Sequence, residues 1–216
     1  MILEPRLPGA FDGAAPDPLA DEVVWERVEI DSGHAVADSA GTVAAHVEMI
    51  ESALAGVRLT GARLDGFRVA DCRWRGVDAS GLLADSASLV RLELVGCRLS
   101  GLDLAGARLT DVRFVDCRMD EANLRMLRGE RVAFEACDLR GAELIDARVP
   151  EVALVDCDLS GVELSGADLR GGRITGSTVD TVKGASSLRE VTIDPLQVLP
   201  LGARLLGELG IVVADD

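Results

Sequence analysis

The sequence predicts an all-β fold, a right-handed quadrilateral β-helix of about six to seven coils with a short α-helical C-terminal cap. Three observations lead to this prediction: an apolar residue recurs at every fifth position, glycine often follows it two residues later, and residues 20 apart match in type. Hydrophobic residues make up 48% of the 216, but aromatic ones only 3%. A core of small aliphatic side chains suits a narrow, repetitive interior, because globular cores normally use large rings to fill space.

The five-residue series starts at Leu54 and keeps its phase to Val179, and Gly129 is its one break apart from two alanines. A period of five fits neither an α-helix, at 3.6, nor an isolated strand, at 2. It indicates a chain that turns a corner every five residues. Two inward residues flank one outward residue in each unit, and glycine at the corner tolerates unusual backbone angles.

Residues 20 apart form columns, as expected if four units complete one turn of the coil. Cys97, Cys117, Cys137 and Cys157 form one such column. Two more are Leu92, Val112, Val132, Val152 and Phe114, Phe134, Leu154, Ile174. We interpret the cysteines as small buried hydrophobes rather than metal ligands, because no histidine lies within the repeats to complete a zinc set.

The units Cys137–Gly141 (CDLRG) and Ala167–Gly171 (ADLRG) closely resemble the consensus of the pentapeptide-repeat family. The resemblance covers residues 47–184 and implies a square coil of four units per turn. The best-known relatives are quinolone-resistance and toxin-immunity proteins, which resemble duplex DNA and bind DNA gyrase, a topoisomerase. Other members are uncharacterised bacterial proteins.

The chain outside the repeats predicts an arm and a cap segment at the N-terminal end. Residues 1–21 form a flexible arm rich in proline. Residues 22–46 contain a strand at 22–30 that is out of phase with the repeat, followed by a loop around 31–41 that restores the phase. We expect this segment to close the end of the coil. Residues 42–53 are either coil or a short helix, and coil is favoured.

Residues 185–216 predict a C-terminal strand and helical cap after the β-helix of residues 47–184. Val191 and Ile193 suit a last strand, and Asp194-Pro195 is a helix start with an aspartate cap. Pro200 is expected to divide the helix in two, and Gly210 to end it. The apolar face of the second part comprises Leu201, Leu205, Leu206 and Leu209. It either plugs the coil or also joins two chains into a homodimer, as the resemblance implies.

Composition excludes several classes of function. The formal charge of −15 disfavours direct nucleic-acid binding. No apolar run reaches the roughly 18 residues of a membrane span, and the N-terminus lacks the pattern of a signal peptide. Five cysteines without paired spacings argue against a disulfide framework. We expect a cytoplasmic protein with no cofactor, no metal, no membrane contact and no catalytic residues, since no catalytic or nucleotide-binding motif occurs.

The outward residues of the coil are the candidate partner surface. One column contains Arg108, Arg128 and Arg148, and two others contain the acidic pairs Glu143, Glu163 and Asp138, Asp158. The remaining face carries Val95, Val115 and Val155, with Ala133 and Ala153 beside them. Outward valines suggest a covered face. Its cover is either the N-terminal segment that contains Trp25 or a partner.

These surfaces favour a non-catalytic protein-interaction module with an unidentified protein partner. The alternative is a DNA mimic that binds DNA gyrase and protects it from quinolones or toxins. Duplex DNA carries one negative charge per about 1.7 Å of its axis, so a rod about 30 Å long that imitates it requires about 18 negative charges. Residues 52–184 carry 18 basic and 21 acidic side chains, a net charge of only −3.

Overall fold

In the computed structural model, which describes residues 1–12 and 16–212, short parallel strands stack into a solenoid of about eight turns. The strands are β1 Val24–Glu26, β2 Glu29–Ile30, β3 Val43–Ala45, β4 Glu48–Ile50, β5 Ala53–Ala55, β6 Arg63–Asp65, β7 Arg68–Arg75, β8 Ser88–Val95, β9 Arg108–Val115, β10 Arg128–Glu135, β11 Ala153–Val155, β12 Arg173–Thr175 and β13 Thr192–Ile193. One α-helix, α1 (Val198–Glu208), follows among the described residues. The predicted fold class is confirmed.

Residues 20 apart stack throughout the coil, because each strand pairs with the strand one turn later. In β9 and β10, Phe114 lies opposite Phe134, and their rings stack with centroids 4.8 Å apart. Isolated bridges keep the same spacing where strands are short, as between Arg118 and Asp138. Backbone hydrogen bonds therefore run from coil to coil rather than within a coil.

The N-terminal segment adds one turn to the six or seven predicted. β1 pairs with β4, so that Trp25 lies opposite Met49, and β2 pairs with β5. This first turn is 24 residues long instead of 20, because the loop before β3 contains the extra residues and a short 3-10 helix at Ala35–Ala37. The loop restores the phase as predicted. Residues 42–53, with strands β3 and β4, belong to the β-helix and form no α-helix. Trp25 is buried in this turn and covers no outer face.

The N-terminal arm differs from the flexible segment that the sequence predicts, because its first six residues lie against the rod. The backbone N–H of Leu3 donates to Asp111 Oδ1 at 3.0 Å, and that of Arg6 donates to Asp71 Oδ1 at 3.0 Å. The Asp12 N–H then donates to the Arg27 carbonyl in the first turn. The arm thus runs along the rod from its middle to its N-terminal end.

The C-terminal cap closes the other end of the coil. β13 pairs with β12, and the Gln197 side chain donates to the Ser177 carbonyl at 2.7 Å in a buried contact. Pro200 does not divide the helix as predicted, because it lies in the first turn of α1, where its missing N–H has no helical acceptor. Gly210, with φ of 70°, follows the helix end at Glu208.

Candidate interaction surfaces

The predicted arginine column lies on one flat face of the rod and is exposed. In the β ladder between successive coils, Arg108 lies opposite Arg128, and Arg128 lies opposite Arg148. Like charges are therefore stacked on one another. None of the three forms an ion pair within residues 1–12 and 16–212. At about 4.8 Å between coils the guanidinium groups repel one another. This face is therefore locally basic on an acidic protein.

The predicted acidic columns are partly neutralised. Arg140 donates to both oxygens of Asp138, at 2.8 and 2.6 Å, and lies 3.7 Å from Asp158. This hydrogen bonding to Arg140 lowers the pKa of Asp138 below its usual value. Glu143 pairs with Arg125 at 3.3 Å. Glu163, in contrast, accepts from its neighbour Ser165 and from no other side chain or N–H of residues 1–12 and 16–212.

The outward valines are half-buried, but the N-terminal segment that contains Trp25 does not lie over them. At the end of the face formed by β8, β9, β10 and β11, Val95 lies opposite Val115, and Glu135 separates Val115 from Val155. The first turn, with Trp25, lies in line with this face rather than over it. On the same face Ala133 is buried and Ala153 half-buried, whereas the coils before and after carry Arg113 and Arg173.

The cysteine column contributes packing and weak hydrogen bonds rather than chemistry. The single S–H of each thiol lies within reach of two carbonyl oxygens, one two residues earlier and one in the preceding coil. For Cys137 these belong to Glu135 and Phe114, at 3.4 and 3.6 Å. Ser177 occupies the same column and makes the equivalent two bonds. The hydrogen bond with Cys117, together with burial, raises the pKa of Cys137 to about 12. The Cys137 thiol is therefore protonated at neutral pH.

Helix α1 is oriented opposite to a usual cap. Its polar side faces the rod, because the Glu208 carboxylate accepts the backbone N–H groups of Ala185 and Ser186 at 2.7 and 2.9 Å, and Arg204 donates to the Asp180 carbonyl. Leu201 alone among the four predicted leucines is buried; Leu206 is half-buried, and Leu205 and Leu209 are exposed.

The surface of the cap is correspondingly apolar. Seven of the twelve exposed large hydrophobic side chains of the described residues belong to this short segment. They are Leu196, Val198, Leu199, Leu205, Leu209, Ile211 and Val212. A cluster of this kind on an otherwise polar protein is typical of an association surface.

One corner of the coil, which sequence reasoning did not single out, carries charged residues instead of glycine. Residues 71, 91, 111, 131 and 151 form this charged corner, in the order Asp, Arg, Asp, Arg, Glu. All five have φ between 48° and 57°, the left-handed conformation that other corners mostly give to glycine. The signal was present in the sequence, as acid and arginine alternating every 20 residues.

Paired charges hold the charged corner together. Arg91 donates to both oxygens of Asp71, and Arg131 to both oxygens of Asp111. These bonds, more than any other influence, lower the pKa of each aspartate. The Asp111 side chain is only 2% exposed. The same two aspartates accept the backbone N–H groups of the arm.

The described residues lack a membrane-spanning helix and a metal-binding cluster. No helix among them is long and apolar enough to cross a membrane. Their histidine, cysteine, aspartate and glutamate side chains form no group of three or more suited to holding a metal ion.

A parallel solenoid with a five-residue unit, four units per turn and closed ends defines the class of this protein. The family of pentapeptide repeats matches residues 87–125 and 134–176, in eight copies. Over these residues the chain is similar to the pentapeptide-repeat family. No curated protein matches it.

Among solved structures, full-length QnrB1, a plasmid-mediated fluoroquinolone resistance protein, is 16% identical, with 86% of this chain and 97% of that one covered and a TM-score of 0.40. HetL from the cyanobacterium Nostoc sp. strain PCC 7120, a pentapeptide repeat protein involved in heterocyst differentiation regulation, is 15% identical, with coverages of 85% and 90% and a TM-score of 0.35. Rfr23, a pentapeptide repeat protein from the cyanobacterium Cyanothece 51142, is 20% identical, with coverages of 54% and 64% and a TM-score of 0.29.

Proposed function

We propose that this protein is a non-catalytic protein-interaction module that associates through its C-terminal cap with a second copy of itself. The observation that carries the proposal is the orientation of α1: its polar groups are used on the rod, and its apolar residues face outward. A helix that only sealed the coil would place its leucines inward, as Leu201 alone does.

A second copy is the partner that this surface fits best. From Leu196 to Val212 the exposed side chains are aliphatic apart from Arg204 and Glu208, which bond to the rod. The surface therefore complements an equally aliphatic one and offers a charged partner few groups to pair with. A patch that meets its own copy across a two-fold axis needs no other complementary surface. Association at the cap joins two rods end to end and leaves their side faces free for a further partner.

The test is the oligomeric state of the intact chain, measured by size-exclusion chromatography with light scattering. Leu199, which is 84% exposed, and Leu209, which is 69% exposed, are replaced together by glutamate. We expect the wild type to elute as a dimer and the double variant as a monomer at the same concentration. Val43→Glu, at a position 71% exposed on the rod, is the matched control and should remain dimeric.

A monomeric wild type at concentrations of tens of micromolar contradicts the association at the cap. An equal loss of dimer in Val43→Glu contradicts its location. Far-UV circular dichroism of both variants checks that the β-helix is retained, as expected because Leu199, Leu209 and Val43 are all exposed.

A DNA mimic that binds DNA gyrase has weaker support on this surface. The acidic residues Asp138 and Glu143 are paired with arginines, and the column Arg108, Arg128, Arg148 would repel a surface that binds DNA. Asp158 and Glu163 remain as its best candidate contacts. Inhibition of gyrase supercoiling by the wild type, weakened in an Asp158→Lys, Glu163→Lys variant, would favour this function over the one proposed.

A further inference from the structure

A second surface, independent of the cap, lies where the arm crosses the charged corner. Leu3 and Arg6 each donate a backbone N–H to an aspartate of that corner. The arm's contacts with Asp71 and Asp111 therefore use its main chain. A site that recognises main-chain groups can accept segments of more than one sequence.

The spacing of the two aspartates matches an extended polypeptide. Asp71 and Asp111 are two coils apart, about 9.6 Å at 4.8 Å per coil. The two donors are three residues apart, about 10 Å in extended chain at 3.3 Å per residue. Alternate coils thus present acceptors in register with every third N–H of a strand that lies along the rod axis. Glu151 stands two coils beyond Asp111 and continues the same series.

The carboxylates of Asp71 and Asp111 are already held in position by neighbouring arginines. Arg91 and Arg131 fix both aspartate side chains with two hydrogen bonds each. Glycine would relieve the left-handed backbone at these positions, yet charged residues occupy it in six successive coils, from Glu51 to Glu151. Because the carboxylates are immobilised and largely buried, a bound segment incurs little of the ordering cost that flexible surface side chains would add.

An open groove continues beyond the first residue of the arm. It has a volume of about 600 Å³ and runs from Leu92 to Thr192 along the face next to the charged corner. Small residues, Ala133, Ala153 and Gly172, form its floor. On its sides, Glu151 and Arg173 form no ion pair with another described residue.

We propose that the charged corner and this groove form a binding site for an extended polypeptide segment of a partner protein, and that the arm is its built-in occupant. The segment offers two backbone N–H groups three residues apart to Asp111 and Asp71. Its preceding residues fill the groove past Glu151 and reach Arg173. The partner must displace the arm, which competes from within the same molecule.

The test uses the full-length chain with its arm released. Proline has no N–H, so a Leu3→Pro, Arg6→Pro variant removes both donors. A peptide of residues 1–9, labelled at its C-terminus, is titrated against this variant and the wild type by fluorescence anisotropy. We expect saturable binding to the variant and at least tenfold weaker binding to the wild type, where the tethered arm has an effective concentration on the order of millimolar.

Two controls locate the binding in the main-chain donors. Leu7 has an N–H with no acceptor in the described part of the chain, so Leu7→Pro should behave as the wild type. A peptide N-methylated at Leu3 and Arg6 should lose at least tenfold in affinity, whereas one methylated at Leu7 should not. Far-UV circular dichroism verifies that the released variant is folded.

Failure of the peptide to bind the folded released variant overturns the proposal, as does equal binding of both methylated peptides. A measurement on the unmodified protein provides an independent check. The amides of Leu3 and Arg6 should exchange with deuterium more slowly than that of Leu7 in the wild type. Equal rates would show that the arm does not occupy the charged corner.

Discussion

The pair of Asp71 and Arg91 offers the sharpest test of how the charged corner is stabilised. Its side chains are 10% and 25% exposed, between a surface ion pair and a buried one. Hydrogen bonds to charged groups contribute about 1.5–3 kcal/mol, and exposed pairs about 0.2–1 kcal/mol. We therefore expect Asp71→Ala to lower the free energy of unfolding by about 2–3 kcal/mol, with about 1–2 kcal/mol of it as coupling to Arg91.

The backbone conformation adds an internal comparison at the same position. Asp71 has φ of 53°, which costs a residue with a Cβ about 1 kcal/mol more than glycine. Asp71→Gly removes the same carboxylate as Asp71→Ala but relieves this strain. We expect the glycine variant to be more stable than the alanine variant by about 1 kcal/mol.

Urea unfolding followed by tryptophan fluorescence measures these differences, because Trp74 lies in the same coil, three residues from Asp71. The double-mutant cycle combines Asp71→Ala and Arg91→Ala, and equal slopes of the transitions verify that the variants unfold alike. A coupling energy below about 0.3 kcal/mol would refute the ion-pair argument. An alanine variant as stable as the glycine variant would refute the argument from backbone strain.

Three further predictions concern the core. Gly129→Ala should destabilise the protein by about 1–3 kcal/mol, because the added Cβ would lie 2.8 Å from methyl groups of Val132 and Val149, and Val149→Ala should recover part of the loss in urea unfolding. Cys137→Ser should change the unfolding free energy by less than about 1 kcal/mol, since serine in this column already makes the same hydrogen bonds. Burial raises the pKa of the Cys72 thiol to about 12, above the value of about 8.5 in the unfolded chain. The buried neutral thiol therefore contributes its full stability below about pH 8.5, and this contribution is lost as the pH rises toward 12. The urea midpoint should therefore fall more between pH 8 and 10.5 in the wild type than in Cys72→Ser.

The interior of the rod was predictable from the sequence, because the repeat makes each position a copy of the one 20 residues earlier. The apolar series from Leu54 to Val179 fixes which side chains face inward, and a single slip in phase would reverse them. Gly129 is the exception that the pattern could not explain. In the structure the methyl groups of Val132 and Val149 already fill its niche, and this depends on side-chain positions rather than on periodicity.

The ends of the chain were less predictable, because there the sequence repeats nothing. Four extra residues in the first turn concealed the pairing of β1 with β4. The arm contains several prolines and glycines, which suggested a loose segment, but its contacts depend on two aspartates 65 and 108 residues away along the chain. The spacing of the four cap leucines does not specify whether they point to the coil or to solvent, and in the structure Leu201 is buried whereas Leu205 and Leu209 are exposed.

Departures from the repeat are the informative features of such a protein. Positions that only maintain the coil can be filled by any small corner residue and any aliphatic centre, so they carry little information about partners. The charged corner holds charged residues in a conformation that favours glycine, and α1 exposes leucines that the coil end could have buried. Both arrangements cost stability within the single chain. A bound segment at the corner, or a second chain at the cap, is what would offset that cost, and this is why we assign interaction to these two places rather than to the regular faces.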